Sequence, residues 1–158
     1  MPRRRSKQPP VDTPAGARQS ALRALARREH SARELYYKLK SCGVPEPLAG
    51  EVIEDFSARG WQSDQRYAES LLRTRVAHCY GPLRIEAELS AAGLSNTLIR
   101  EAMAAAECDW NDLALQAYQR RFDSAPAGTA EGQKRYRFLA QRGFSSEQIR
   151  TVLRNVPE

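Results

Sequence analysis

The sequence predicts an all-α fold, an elongated array of three tandem three-helix repeats with helix-turn-helix-like turns. Three observations carry this. From residue 21 onward Ala, Leu, Arg, Glu and Gln dominate and β-branched runs are missing, a composition that favours helices over strands. Gly and Pro fall between the periodic segments, where helices must end. Gly43, Gly93 and Gly143 lie 50 residues apart, and apolar columns keep the same register: Leu39, Leu89 and Leu139; Val44, Leu94 and Phe144; Val52, Ala102 and Val152; Ile53, Met103 and Leu153. These columns fall on the faces that a helix pair buries.

Each element follows in order. Residues 1–17 read as a basic, disordered tail, with Pro2, Pro9, Pro10 and Pro14 and almost nothing large and apolar. The first repeat covers 18–62, with helices near 18–28, 31–42 and 46–59. Ser31 with Glu34 three residues later forms a capping box for its second helix. The second repeat covers 63–108, with helices near 64–78, 82–92 and 96–107. Ser63 and Asp64 start it, and Pro82 after Gly81 suits a first helical turn. The third repeat covers 109–158, with helices near 110–122, 130–142 and 146–155. Asp109 caps its first helix, Ser145 and Gln148 box its last, and residues 123–129 form a loop. After each repeat glycine the chain turns, because a residue without Cβ closes a helix in the left-handed region. A unit of about 45–50 residues buries its apolar faces poorly alone, and stacked units form a curved array.

Charge narrows the partner class. Lys and Arg number 25 against 19 acids, a formal +6. Most of that excess sits in residues 1–20, where Arg3, Arg4, Arg5, Lys7 and Arg18 oppose Asp12. Such a segment is a solubilising extension that can add weak, salt-sensitive attraction to nucleic acid. Elsewhere the charge segregates. Residues 21–42 carry Arg23, Arg27, Arg28, Arg33, Lys38 and Lys40 against Glu29 and Glu34, whereas 45–59 carry Glu46, Glu51, Glu54 and Asp55 against Arg59. A recognition helix after Gly43 would therefore repel phosphate, which argues against major-groove readout by that helix-turn-helix. The third repeat keeps the tendency through Arg120, Arg121, Lys134, Arg135, Arg137 and Arg142; the second is balanced.

Catalysis finds no footing. His30 and His78 sit near ends of first helices, where the helix dipole favours a positive charge, so capping accounts for both. Glu51, Glu54 and Asp55 read as a solvated helical face. Cys42, Cys79 and Cys108 are odd in number and unclustered, which fits a reducing cytoplasm and small buried hydrophobes better than a disulfide framework or zinc site. A phosphate-binding Gly-x-x-x-x-Gly-Lys-Ser/Thr loop is missing, as are an apolar stretch of membrane-span length and a secretory signal. The expectation is a cytoplasmic protein without cofactor or metal. Trp61, Trp110, Tyr36, Tyr67 and Phe138 are expected in inter-helix cores.

Over residues 18–155 the chain reads Ala21 to Arg28 followed by Ser31, Glu34, Leu35 and Leu39; Ser63 to Glu69, then Gly81 to Ile85, Glu88 and Leu89 before Gly93; and Asp109 and Trp110, then Tyr136 to Phe144. In this order and spacing it resembles the RecX family of bacterial regulators of the recombinase RecA. The chain departs where family members carry leucine and aspartate, reading Gln62 and Ser63, although Ser63 still supplies a cap. The resemblance implies a binding protein, not an enzyme. It would be a monomer that occupies RecA filaments on single-stranded DNA and depresses ATP hydrolysis, strand exchange and co-protease activity. It would thereby modulate recombination, DNA repair and the SOS response. The alternative is a helical module that binds DNA with no recombinase partner. Under either reading the expected contact residues are Arg27, Arg28, Arg33, Arg73, Arg75, Arg84, Arg120, Arg121, Lys134, Arg135 and Arg137. Guanidinium groups pair with carboxylates and phosphates alike.

Overall fold

In the computed structural model, residues 8–157 are described. Among them are nine helices and no strand: α1 (Pro14–Arg27), α2 (Ala32–Ser41), α3 (Glu46–Ala58), α4 (Asp64–Ala77), α5 (Pro82–Ala91), α6 (Asn96–Ala105), α7 (Trp110–Arg121), α8 (Thr129–Gln141) and α9 (Ser146–Asn155). Eight of the nine start within a residue of expectation. α1 starts four residues earlier than its expected start at residue 18, so the end of the expected tail 1–17 is helical. Thr13 accepts the Gly16 amide at 3.2 Å as N-cap, and Pro14 takes the first helical position, for which its ring is preset. Gly16 and Ala17 are buried, with Gly16 against the Pro10 carbonyl so closely that a Cβ would collide with it. Arg3, Arg4, Arg5 and Lys7 lie outside the described residues. Pro47 and Gly50 fall inside α3 and Gly132 inside α8, within the helices expected near 46–59 and 130–142. Pro47 is in the first turn, where a missing amide hydrogen costs nothing.

The three repeat glycines carry one turn. Gly43, Gly93 and Gly143 have φ of +94°, +89° and +97°. In each, the glycine amide bonds back three residues, to the carbonyls of Lys40, Ser90 and Ala140. The next amide reaches back five, from Val44 to Leu39, Leu94 to Leu89 and Phe144 to Leu139, at 3.0–3.2 Å. This is the Schellman closure, and the leucine and following apolar residue are its hydrophobic pair. All six are buried. The register seen in the sequence thus has a physical cause.

The chain divides into two compact units at Tyr67–Ala68, within α4. In the first, α1, α2 and α3 pack pairwise around Ala17, Ala21, Leu35, Leu39, Ala49, Val52 and Phe56. Asp64 closes it by accepting the Ala32 amide, at the start of α2, at 2.8 Å. Gln62, where the family pattern suggested leucine, is buried. Its oxygen accepts from Ser57 at 2.6 Å, and its nitrogen donates to the His30 carbonyl and to Asp64 at 3.2 and 3.0 Å. Both ends of the amide are satisfied, which is what lets a polar side chain stand in a core position.

In the second unit α5 packs on α6, while α7, α8 and α9 pack on one another around Leu113, Tyr118, Leu139, Phe144, Ile149 and Val152. The turn before α5 meets the turn before α9. The Gly81 amide donates to the Arg142 carbonyl at 2.7 Å, and the Leu83 amide donates to the Gly143 carbonyl at 3.0 Å. The first turn of α5, which has no side-chain cap, is capped instead by the backbone of another repeat. A Cβ on either glycine would overlap the other segment.

Candidate partner-binding surface

The expected contact residues divide into exposed cations and cations consumed by the fold. In the first unit, Arg27 projects from the last turn of α1 and is exposed. Arg28 follows it, exposed, and spans the turn to the Glu29 carbonyl and to Glu34 at 2.9 and 3.0 Å. Arg33 rises from the first turn of α2, its guanidinium 5.8 Å from the Tyr37 ring centre. Lys38 is exposed on the same helix. The opposite sign gathers on α3, where Glu46, Glu51 and Glu54 are exposed. Lys40 reaches Glu46 at 2.5 Å, a bond that raises the lysine's pKa and lowers the carboxylate's. Asp55 is held below the usual carboxylate range by hydrogen bonds first from Arg18 at 2.5 Å and then from Arg59 at 3.0 Å. Arg18, at the start of the expected first helix, is part of the packed unit and lies over Phe56.

In the second unit Arg73, Arg120, Arg121, Lys134 and Arg137 are exposed. Arg73 stands at the edge of an apolar groove of about 320 Å³ that Leu72, Val76, Ala102 and Cys108 help to line. Arg120 donates to the Ala77 carbonyl at 3.3 Å and Arg121 lies over Phe122. Two of the expected contact residues are engaged within the fold. Arg135 is only 11% exposed, bonded to the Tyr118 hydroxyl, the Ser124 carbonyl and Glu131. It pins the 123–129 loop onto α7 and α8. Arg75 is half-buried and paired with Glu88 at 2.7 Å. Arg84 shares Glu88 at 3.7 Å and stacks on Tyr80 at 4.1 Å, but remains exposed.

Two features went unread in the sequence. Arg142 also lies over the Tyr80 ring, at 4.2 Å, and donates to the Cys79 and His78 carbonyls at the end of α4. Tyr37 is 54% exposed, whereas the aromatics expected in cores include Trp61, which is 42% exposed. The Tyr36–Tyr37 pair was the available signal: adjacent helical residues cannot both face one core. His30 is also corrected. It is 2% exposed, Nδ1 lies 3.0 Å from the Arg28 carbonyl, and Nε2 has no partner. Burial therefore lowers its pKa, and it serves the fold as a neutral imidazole rather than as a charged helix cap. Cys79 is buried and Cys108 partly so, but Cys42 is exposed.

Comparison with known proteins places this pattern. Residues 17–56, 63–103 and 107–153 match, in order, the first, second and third three-helix domains of RecX. The chain belongs to the RecX family. The "Regulatory protein RecX" of Xanthomonas campestris pv. campestris is 42% identical over 137 residues, 86% of this chain and 85% of the relative. That of Stenotrophomonas maltophilia is 38% identical over 159 residues, covering 100% and 96%. The crystal structure of RecX from Lactobacillus salivarius superposes with a TM-score of 0.73 over 89% of this chain and 94% of that one. At 22% identity it attests the fold alone. RecX proteins are named as regulators, not as an enzyme class. Among the described residues no helix is long and apolar enough to cross a membrane.

Proposed function

We propose that this RecX chain acts as a monomer in the cytoplasm, binding RecA filaments on single-stranded DNA and lowering their ATP hydrolysis, strand exchange and co-protease activity. It would thereby restrain recombinational DNA repair and the SOS response. The observation that carries the reading is that all three RecX domains are matched in order along a chain whose relatives are named regulatory proteins. The exposed cations suit it. Arg27, Arg28 and Arg33 in the first unit and Arg73, Arg84, Arg120, Arg121, Lys134 and Arg137 in the second are available to carboxylates of a protein groove or to phosphates. Arg75 and Arg135 hold the fold that presents them. Occupying the filament depresses activity only if the protein binds one filament state more tightly than another.

The test is ATP hydrolysis by RecA from the same bacterium on single-stranded DNA, titrated with this protein. The rate falls at protein concentrations below that of RecA. An unchanged rate, with the protein still bound to bare DNA, would instead favour a DNA-binding module with no recombinase partner.

A further inference from the structure

We propose that Tyr37, with Arg33 and Lys38, forms a platform on α2 for single-stranded nucleic acid, on which a base stacks against the tyrosine ring while the cations hold flanking phosphates. The inference goes beyond the regulatory reading and needs no recombinase. Tyr37 is 54% exposed, more than any other large hydrophobic side chain described. It is not loose. Tyr36 packs edge-on against it, ring centres 5.4 Å apart and planes at 81°. The Arg33 guanidinium lies 5.8 Å and the Lys40 ammonium 5.9 Å from its ring centre.

The surroundings choose the occupant. On a helix the surface neighbours of position 37 are three and four residues away, and here they are Arg33, Glu34, Lys40 and Ser41. None is apolar. A protein-docking aromatic sits among apolar neighbours that exclude water, whereas this ring, apart from Tyr36 at its edge, has only polar side chains around it. Glu34, the one acid, is turned to Arg28 at 3.0 Å and to the Tyr67 hydroxyl at 3.3 Å. Lys40 is taken by Glu46. Arg33 and Lys38 have no carboxylate partner among the described residues, so the net local charge is positive. A ring with one free guanidinium beside it, and a second free cation on the adjoining face of the helix, is a combination that suits single strands, because every base has a π-face and every nucleotide a phosphate. The exposed cation–π contact of Arg33 is weak and yields when a base enters, which frees the guanidinium for phosphate. Duplex DNA, whose bases are already stacked, cannot use the ring.

The test uses the full chain without recombinase. Fluorescence anisotropy of labelled oligo-dT at low salt reads binding by the parent protein, Tyr37→Phe and Tyr37→Ala. The parent and Tyr37→Phe bind alike, and Tyr37→Ala binds about tenfold more weakly, with its melting temperature unchanged. Binding of a duplex of equal length does not respond to either substitution. Equal binding of oligo-dT by Tyr37→Ala overturns the proposal. So does a loss confined to inhibition of RecA, which would make the patch a protein contact. Because the oligonucleotide assay contains no RecA, its result is independent of the ATP-hydrolysis titration that tests the proposed function.

Discussion

A glycine can be required for its backbone angle or for the space above it, and the repeat glycines separate the two. Gly43 has φ of +94° but open surroundings, its nearest neighbour being the Val11 methyl at 3.6 Å from where a Cβ would stand. Gly43→Ala therefore loses about 1 kcal/mol, the cost of a left-handed alanine. Gly143 has nearly the same angle, but its Cβ would collide with the Arg84 backbone. Gly143→Ala loses that same amount plus the cost of parting two turns, about 3 kcal/mol in total. Urea unfolding of the two variants checks the difference. Equal losses would contradict the close approach of Gly143 to the first turn of α5. The sequence revealed the spacing of these glycines and their shared angle, but not the contact, since residue 81 pairs with 143 only once two repeats have packed.

His30 gives a second prediction at this scale. Its folded pKa lies below the ordinary 6.5, so above that value neither folded nor unfolded chain is protonated there and stability is unaffected. As pH falls below 6.5 the unfolded state takes the proton first. Stability then declines until the folded pKa is passed. Urea midpoints fall between pH 7.5 and 5.5, and His30→Gln removes much of that fall. A midpoint independent of pH in the parent would contradict the buried neutral imidazole. The sequence placed His30 near a helix end; it could not show that the turn closes over the ring.

At the scale of elements, helix ends rather than helix interiors decide the structure. The caps at Ser31, Asp109 and Ser145 were legible because a short oxygen side chain two or three residues before an amide is a local device, although the box expected at Ser31 is half-made, the Glu34 carboxylate turning instead to Arg28 and Tyr67. The start of α1 was misread because prolines and a glycine suggested a tail. Thr13 and Pro14 make the same letters a helix start. The end of α4 was not legible, because it is completed from 63 residues away. Cys79 adopts φ of +57° without being glycine, and Arg142 donates to the carbonyls that the helix leaves open while stacking on Tyr80. Arg142→Ala leaves two carbonyls short of a donor and destabilises the second unit by about 2 kcal/mol. Arg142→Lys does not restore it, since an ammonium cannot bridge both carbonyls and stack as a planar fork does. Thermal melts of both variants check this, and full rescue by lysine would contradict the geometry.

At the scale of the whole molecule, the helical repeats were legible in the sequence, but which cations the fold engages and which it leaves exposed was not. Helical periodicity and the repeat interval are local and recurrent, so each repeat reinforces the reading of the next. A binding face is a matter of which cations remain after the fold has used its share. Arg135 and Arg33 look alike in sequence, yet one pins a loop and the other stands in solvent. Charge reversal at exposed positions isolates that remainder, since surface pairs such as Arg28–Glu34 contribute little to stability. The central claim is that the exposed arginines of both units carry filament inhibition. The deciding measurement is ATP hydrolysis by RecA on single-stranded DNA in the presence of the parent protein, Arg27→Glu/Arg28→Glu, or Arg120→Glu/Arg121→Glu. The account predicts inhibition by the parent and, for each double variant, a concentration for half-inhibition raised about tenfold with unchanged melting temperature. Inhibition by both variants at the parent's concentration would contradict it.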